Sequence, residues 1–226
     1  MGKVALASIM GLFRAIRQRL SHRAGSGGWG RRQHPTMQLG YVIPVSIEMH
    51  DAMRKLQLRL LKEHGSRVRI EGIPHITLKQ AFEIEEVEPF ERHLETLVSE
   101  TAPFDVHVRD AGLFEEGIVF LGVVETPPLV ALRKRIVRDL ATGLGISPNP
   151  LEGDRYRFHV TLAEGLEPSS LRRARKDLQE TSPDFRFRCD TVGLLLHTGR
   201  EWISYKSSKL LHRDPSEQSK FRGREG

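Results

Sequence analysis

Cysteine is almost missing from this chain. Cys189 is the single one in 226 residues, so no disulfide can close within the chain and a cysteine-based zinc site has no ligands to draw on. Such sparing use fits a reducing compartment. Acid is missing from the start: residues 1–37 carry seven Lys or Arg and no Asp or Glu, and the first acid is Glu48. Long apolar runs are missing too. None approaches the roughly 20 residues a membrane-spanning helix needs, so no membrane partner is expected.

What is present is a globular composition, 38% apolar and 28% charged. The formal net charge of +6 suggests nucleic acid, but its distribution does not. Residues 206–226 hold six basic and three acidic residues, leaving 22 basic against 26 acidic in 38–205, a net of −4. The basicity sits in the tails, so an anion site in the core must be a local cluster.

The chain divides into three regions. Residues 1–37 read as a basic, disordered extension. Leu12, Phe13, Ile16 and Leu20 would line one side of a short amphipathic helix, and Ser21–Gly30 is Gly/Ser-rich. This acid-free, Arg-rich composition is also that of an organelle transit peptide. The plainer reading is an extension upstream of a start at Met37, with a cytoplasmic protein behind it. Gly2 is present, but Leu6 stands where a myristoylation signal wants Ser or Thr. Residues 38–208 form the folded unit, and 209–226 a polar tail.

Within the unit, Tyr41–Ile47 reads as a strand, with Pro44 marking an edge or bulge. Asp51 caps a helix that stops at Gly65. A strand comes next at 74–82, a helix over Pro89–Ser99, then strands Phe104–Leu113 and Gly117–Val124 joined around Glu115-Glu116. Pro127-Pro128 opens a helix to Leu140. Ser147–Asp154 reads as a loop, followed by a strand at 156–163 and a helix over Pro168–Leu178. Strands Phe185–Leu196 and Glu201–Ser207 complete the series. The two halves match in order: helix, strand, helix, strand, strand. Gly112-Leu113-Phe114 falls in phase with Gly193-Leu194-Leu195. This is an internal duplication of an α+β unit. It predicts a bilobal fold, two pseudo-twofold-related lobes of antiparallel sheet with helices outside and a central cleft.

The strand that follows the first helix of each half carries the same tripeptide. One half has Pro74-His75-Ile76-Thr77-Leu78, the other Phe158-His159-Val160-Thr161-Leu162. In a strand, residues i and i+2 share a face, so each motif sets an imidazole beside a hydroxyl. Two imidazoles across a cleft make an acid/base pair that titrates near neutrality. Thr77 and Thr161 can donate hydrogen bonds to an anion between them, and phosphate fits. In-line displacement at phosphorus needs a base on one side and an acid on the other, which two histidines supply without a metal. No cofactor and no metal are expected. Lys79 shares strand parity with His75 and Thr77. It either supplies positive charge to a phosphate or is a solvent-facing lysine at the strand's end. Arg157, in phase with His159, is a further substrate-binding candidate. Tyr156 and Phe158 have core parity, although Tyr156 at the strand mouth could stack a base. Trp202 and Tyr205 read as core. His50, His64 and His93 read as surface residues on helices, and Arg172-Arg173-Ala174-Arg175-Lys176 as a solvated helix face.

The paired motifs resemble the two signatures of the 2H phosphoesterase superfamily, in its 2′-5′ RNA ligase-like branch, over roughly residues 39–208. The resemblance implies metal-independent phosphodiester chemistry: opening of RNA 2′,3′-cyclic phosphate to a 2′-phosphomonoester, and reversible 2′-5′ ligation. By that pattern His75 is the general acid on the leaving ribose oxygen, His159 the base that activates water, and Thr77 and Thr161 hold the phosphate. The expected partners are RNA 3′ ends or a small nucleotide substrate, bound by a monomer. The Lys-Gln pair that ends the first motif departs from the small or aromatic residues of many ligase-like members. The mildly acidic unit suits a small nucleotide better than long RNA. An RNA-binding module with little turnover is the alternative from a different class.

Overall fold

The computed structural model describes residues 37–64, 73–114, 117–153 and 156–211. The extension before Met37, the Gly65 stop, the Glu115-Glu116 turn, Arg155 and the tail after Leu211 lie outside the described residues.

The elements in chain order are β1 Met37–Pro44, α1 Ile47–His64, β2 His75–Ile84, α2 Glu88–Ser99, β3 Phe104–Phe114, β4 Ile118–Val123, α3 Pro127–Gly143, β5 His159–Ala163, α4 Pro168–Thr181, β6 Asp184–Cys189, β7 Thr191–His197 and β8 Trp202–Lys209. Their boundaries have local causes. Pro44 closes β1, and α1 begins soon after it. The Ser46 hydroxyl accepts the Met49 N–H at 3.3 Å, so Ser46, not Asp51, caps α1. Asp51 lies inside the helix and meets His50. Proline in the first turn opens α2, α3 and α4, where a missing N–H costs nothing. Helix α2 buries Phe90, Leu94, Leu97 and Val98, an i, i+4, i+7, i+8 stripe. Inside the stretch read as a loop, Pro150–Glu152 makes a 3-10 turn, closed by a capping box between Asn149 and Glu152.

All the strands join one antiparallel eight-stranded sheet in the order β6-β3-β4-β5-β2-β1-β7-β8. The strands that carry the two tripeptides are its central pair, and they touch through the single bridge Ile76↔Val160. On either side lies a four-stranded half, β3–β6 or β1, β2, β7 and β8. A pseudo-twofold through the bridge exchanges β2 with β5, β1 with β4 and β7 with β3. Pro44 therefore ends a strand inside the sheet, paired to His75, rather than marking an edge.

The stretch read as one strand, Phe185–Leu196, is two strands separated by Asp190. Its first part pairs with β3 and its second with β1. One residue thus links the first strand of the sheet order to the seventh, which requires the sheet to curl back on itself. In β3 the corresponding change of partner happens without a break: residues 104–109 pair with β6 and 108–114 with β4. A bulge at Asp110, with φ 59, absorbs the bend.

Helices cover the sheet crosswise. Helix α2 packs on β7 and β8, α3 on β2, α1 on β5, and α4 on β3 and β4. Each lobe is therefore built from both halves of the chain. The core runs through Ile76, Leu78, Val160 and Leu162, all fully buried. Trp202 and Tyr205 lie on edge strand β8, half-buried and exposed, rather than in the core: the Tyr205 hydroxyl donates to Glu91 at the rim of α2 at 3.2 Å, and Trp202 lies against His197. Among the described residues, no helix is long and apolar enough to cross a membrane.

Candidate active site

The bridge Ile76↔Val160 fixes the site. In an antiparallel pair with these residues opposed, His75 lies beside Thr161, and Thr77 beside His159. Ile76 and Val160 point into the core, while His75, Thr77, His159 and Thr161 are all half-buried on the opposite face. Each imidazole thus stands beside its own motif's hydroxyl and beside the hydroxyl of the other.

Both rings are anchored in the same way. His75 Nδ1 lies 2.7 Å from the Ile73 carbonyl oxygen, and His159 Nδ1 lies 2.8 Å from the Arg157 carbonyl oxygen. A carbonyl can only accept, so Nδ1 carries the proton in both neutral rings and Nε2 keeps its lone pair on the far side. Burial lowers the pKa of His75, with the Ile73 carbonyl opposing. Burial lowers that of His159 as well; the Arg157 carbonyl opposes, and the charges of His75 and Arg157 add to the lowering. The charge of His75 acts on His159, so the two imidazoles stand within electrostatic reach of each other.

Arg157 is exposed, with its guanidinium carbon 5.9 Å from the Phe120 ring centre. Two aromatic residues that sequence reasoning missed flank His159. Phe120 pairs with Thr161 across the β4–β5 ladder and stacks on Phe114 at 4.3 Å. Their ring centres lie 5.3 Å (Phe120) and 5.0 Å (Phe114) from that of His159. Gly112, opposite Phe120, makes the room: a Cβ there would fall 2.3 Å from Phe120 Cζ. On the other side of the pseudo-twofold the equivalent places are Val42, paired to Thr77, and Leu195, two residues beyond Gly193. The cleft is therefore aromatic near His159 and aliphatic near His75.

Lys79 does not stand on this face. The β1–β2 register shifts between Tyr41↔Lys79 and Val42↔Thr77, and that bulge breaks the alternation, leaving Leu78 and Lys79 both buried. An extra residue in a strand turns the residues beyond it to the other side. Lys79 is 1% exposed, which overturns the solvent-facing reading. Its Nζ is 2.7 Å from Glu152 Oε2, so its charge is already neutralised by a carboxylate, which argues against the phosphate-binding reading as well. Glu152 Oε1 accepts the Gln80 N–H at 2.6 Å, Oε2 accepts the Asn149 N–H at 2.7 Å, and the Glu152 carbonyl accepts from Arg133 at 2.6 Å. The Tyr156 hydroxyl donates to the Thr77 carbonyl. Arg133 covers its ring at 3.7 Å, so that face is not open to a base. This buried cluster ties the 3-10 turn to the back of the first motif. The spacing Lys79…Glu152 gave no local signal; only the tertiary fold joins them.

The remaining histidines vary. His107 pairs with Asp184 at 3.0 Å, and His197 lies against Trp202. His64 and His93 have side chains 4% and 14% exposed, so neither is the surface residue their helical positions suggested. The Arg172–Lys176 face is exposed around buried Ala174, as a solvated helix should be.

Comparison with known proteins identifies the family and the fold. Residues 43–201 match the family model described as the 2′-5′ RNA ligase superfamily. Two relatives, each provisionally named a phosphoesterase, come from Bacillus cereus strain B4264 and Bacillus thuringiensis strain Al Hakam. Each is 32% identical over 162 residues, covering 67% of this chain and 86% of the relative. Among solved structures, Escherichia coli LigT complexed with 3′-AMP aligns over 79% of this chain and 99% of its own, at 19% identity and a TM-score of 0.51. TT0787 of Thermus thermophilus aligns over 76% and 97%, at 16% identity and a TM-score of 0.54. At that identity the structures speak for the fold: the bilobal antiparallel α+β architecture expected from the duplication. The family match spans most of the chain, including both tripeptides, and the chain belongs to the 2′-5′ RNA ligase superfamily of 2H phosphoesterases.

Proposed function

We propose that this chain is a metal-independent phosphodiesterase acting on 2′,3′-cyclic phosphates, at RNA 3′ ends or on small nucleotides, to give 2′-phosphomonoesters. The observation that carries the reading is the pair of imidazoles on one face, each with Nδ1 tied to a carbonyl and Nε2 free. His159 Nε2 takes a proton from water as its oxygen attacks phosphorus. The bond from phosphorus to the 3′ oxygen breaks, and His75 Nε2 gives that oxygen its proton. The ring protonated at the start ends neutral and its partner ends protonated, so one proton exchange with water resets the pair. The Thr77 and Thr161 hydroxyls donate to the non-bridging oxygens, and Arg157 supplies positive charge near His159. With a ribose 5′-hydroxyl entering in place of water, the same groups would join it to the 2′-phosphate as the bond to the 3′ oxygen breaks, which is 2′-5′ ligation; the reverse of that step cleaves the 2′-5′ bond.

Lys79 is neutralised by Glu152, and residues 38–205 carry 22 basic against 26 acidic residues, a balance unlike the broad basic surface that long RNA draws. A terminal or free nucleotide is the better substrate. LigT, recorded in complex with 3′-AMP and with ATP, supports a nucleotide-sized ligand. The catalytic unit is residues 38–208; its single thiol, Cys189, is buried, which pushes its pKa up to about 12 and leaves it unreactive, and a chain with one cysteine and no internal disulfide suits the reducing cytoplasm.

The test is hydrolysis of nucleoside and oligonucleotide 2′,3′-cyclic phosphates in EDTA, comparing wild type with His75→Ala and His159→Ala. Each proton transfer contributes about 10²–10⁴-fold, so each variant should lose that much in kcat while KM changes little. The product should carry its phosphate on the 2′ oxygen. Turnover indifferent to either substitution, or none in wild type, overturns the proposal. Loss of affinity without prior turnover would mark a binding module.

A further inference from the structure

A second cluster of donor atoms lies outside the cleft, on helices rather than on the strands that carry the tripeptides. Glu63 and His64 end α1, and Asp177 sits in α4 beside them. The His64 side chain is 4% exposed, yet among the described residues neither of its ring nitrogens has a hydrogen-bond partner. Its Nε2 is 3.5 Å from Asp177 Oδ2. One donor atom from each of Glu63, His64 and Asp177 lies within 4.8 Å of the other two.

We propose that Glu63, His64 and Asp177 form a divalent transition-metal site, with zinc the best-matched ion, that clamps the C-terminal turn of α1 to α4. Bonds of about 2.0–2.1 Å in a tetrahedral zinc site put neighbouring ligand atoms roughly 3.3 Å apart. The His64–Asp177 pair already stands near that spacing, and a Glu63 carboxylate oxygen lies within 4.8 Å of both donor atoms. Glu63 Oε1 accepts from Arg59, which orients the carboxylate and leaves the other oxygen for the ion. One imidazole nitrogen with two carboxylate oxygens suits zinc; calcium and magnesium prefer oxygen alone. Two carboxylates balance the dication, and three protein ligands leave one position for water. An ion there answers the unsatisfied imidazole, which an ion pair at 3.5 Å does not. The site's place between two helices is what gives it a role: α1 precedes the first motif in sequence but packs on β5, and α4 covers β3 and β4. The clamp would fasten the first repeat's helix to the lobe it shares with the second.

The experiment uses the full chain, stripped with chelator and titrated with Zn²⁺ alone by calorimetry, with thermal melting alongside. The expected result is one equivalent bound with a Kd below about 10 μM and a melting temperature that rises with free zinc. Asp177→Asn and His64→Gln should each weaken binding more than about tenfold and flatten the zinc dependence of melting. The near-isosteric Asp177→Asn, at a side chain 33% exposed, keeps the fold available for the comparison. Co²⁺ in place of Zn²⁺ should give visible absorption in wild type that changes in Glu63→Gln. No binding by wild type overturns the site, and so does unchanged binding by the variants, which would place the ion on other histidines of the chain. Cleft hydrolysis in EDTA is a separate readout, and its failure would leave this result untouched.

Discussion

At the scale of single residues, burial and a carbonyl act on the same ring in opposite directions. His75 and His159 are both held below the ordinary imidazole range, because removal from water disfavours the charged form more than the Ile73 and Arg157 carbonyls favour it. The proposed acid must carry a proton, and a lowered pKa means that it loses that proton earlier as pH rises. The kcat/KM optimum should therefore lie below about pH 6.5. A bound phosphodiester is anionic and stabilises imidazolium, so the kcat profile should shift to higher pH than the kcat/KM profile. Paired pH–rate profiles check both signs; a kcat/KM optimum above about pH 8 would contradict the assignment. Lys79 gives a second prediction. Replacing it by Met leaves the Glu152 carboxylate buried and unpaired, which costs about 3–5 kcal/mol. Urea unfolding should show that loss, while KM measured on the folded fraction stays within about threefold. A large KM effect with unchanged stability would return Lys79 to the phosphate.

At the scale of elements, alternation explains both what was legible and what was not. The period of two put His75 with Thr77 and His159 with Thr161, and the duplication implied that the motifs face each other; both rest on local pattern. Lys79 was misread because the same period was carried across a bulge, and a bulge is set by pairing with β1, which the strand's own residues do not announce. Asp51 looked like a cap because a helix signal begins near it, but Ser46 had the better-placed oxygen. Phe114, just past the strand read as Phe104–Leu113, and Phe120, inside Gly117–Val124, carry no local sign of a site. Their place beside His159 depends on which strands become neighbours, and so does the need for Gly112. That need is testable. Gly112→Ala puts a Cβ into the Phe120 ring, which is 2% exposed and stacked on Phe114, so it cannot swing aside freely. The cost should be about 1–3 kcal/mol, with kcat reduced as the wall of His159 shifts. Adding Phe120→Leu should recover part of the stability, because the smaller side chain vacates the space. Urea midpoints of both single variants and the double variant decide it, and strict additivity would argue against the clash.

At the scale of the whole molecule, the duplicated sequence and the two lobes do not coincide. The pseudo-twofold matches β1 with β4, so the repeats begin at those strands, and Gly117–Val124 opens the second repeat rather than closing the first. The repeats are successive in the chain, whereas the lobes exchange parts. Strand β3 comes from the first repeat but pairs only with β4 and β6. Strand β1 pairs with β7, and α1 packs on β5. A fragment ending at Phe114 would keep the β1–β2 ladder but leave β3 with both edges open and the buried face of α1 uncovered. Residues 117–211 would in turn leave β7 with only β8 beside it. Open edges and uncovered apolar faces are not stable in water, so neither fragment should fold alone although each holds one complete His-x-Thr motif. Mixed together, they should reassemble, since the cut falls between strands and severs no ladder. The measurement is circular dichroism melting of 37–114, of 117–211 and of their equimolar mixture, followed by cyclic-phosphate hydrolysis. A cooperative melt appearing only in the mixture, together with activity, is the expected result. A cooperative melt in either fragment alone would mean that the repeats are independent folding units, and the interlacing would then be a feature of packing rather than a condition for folding.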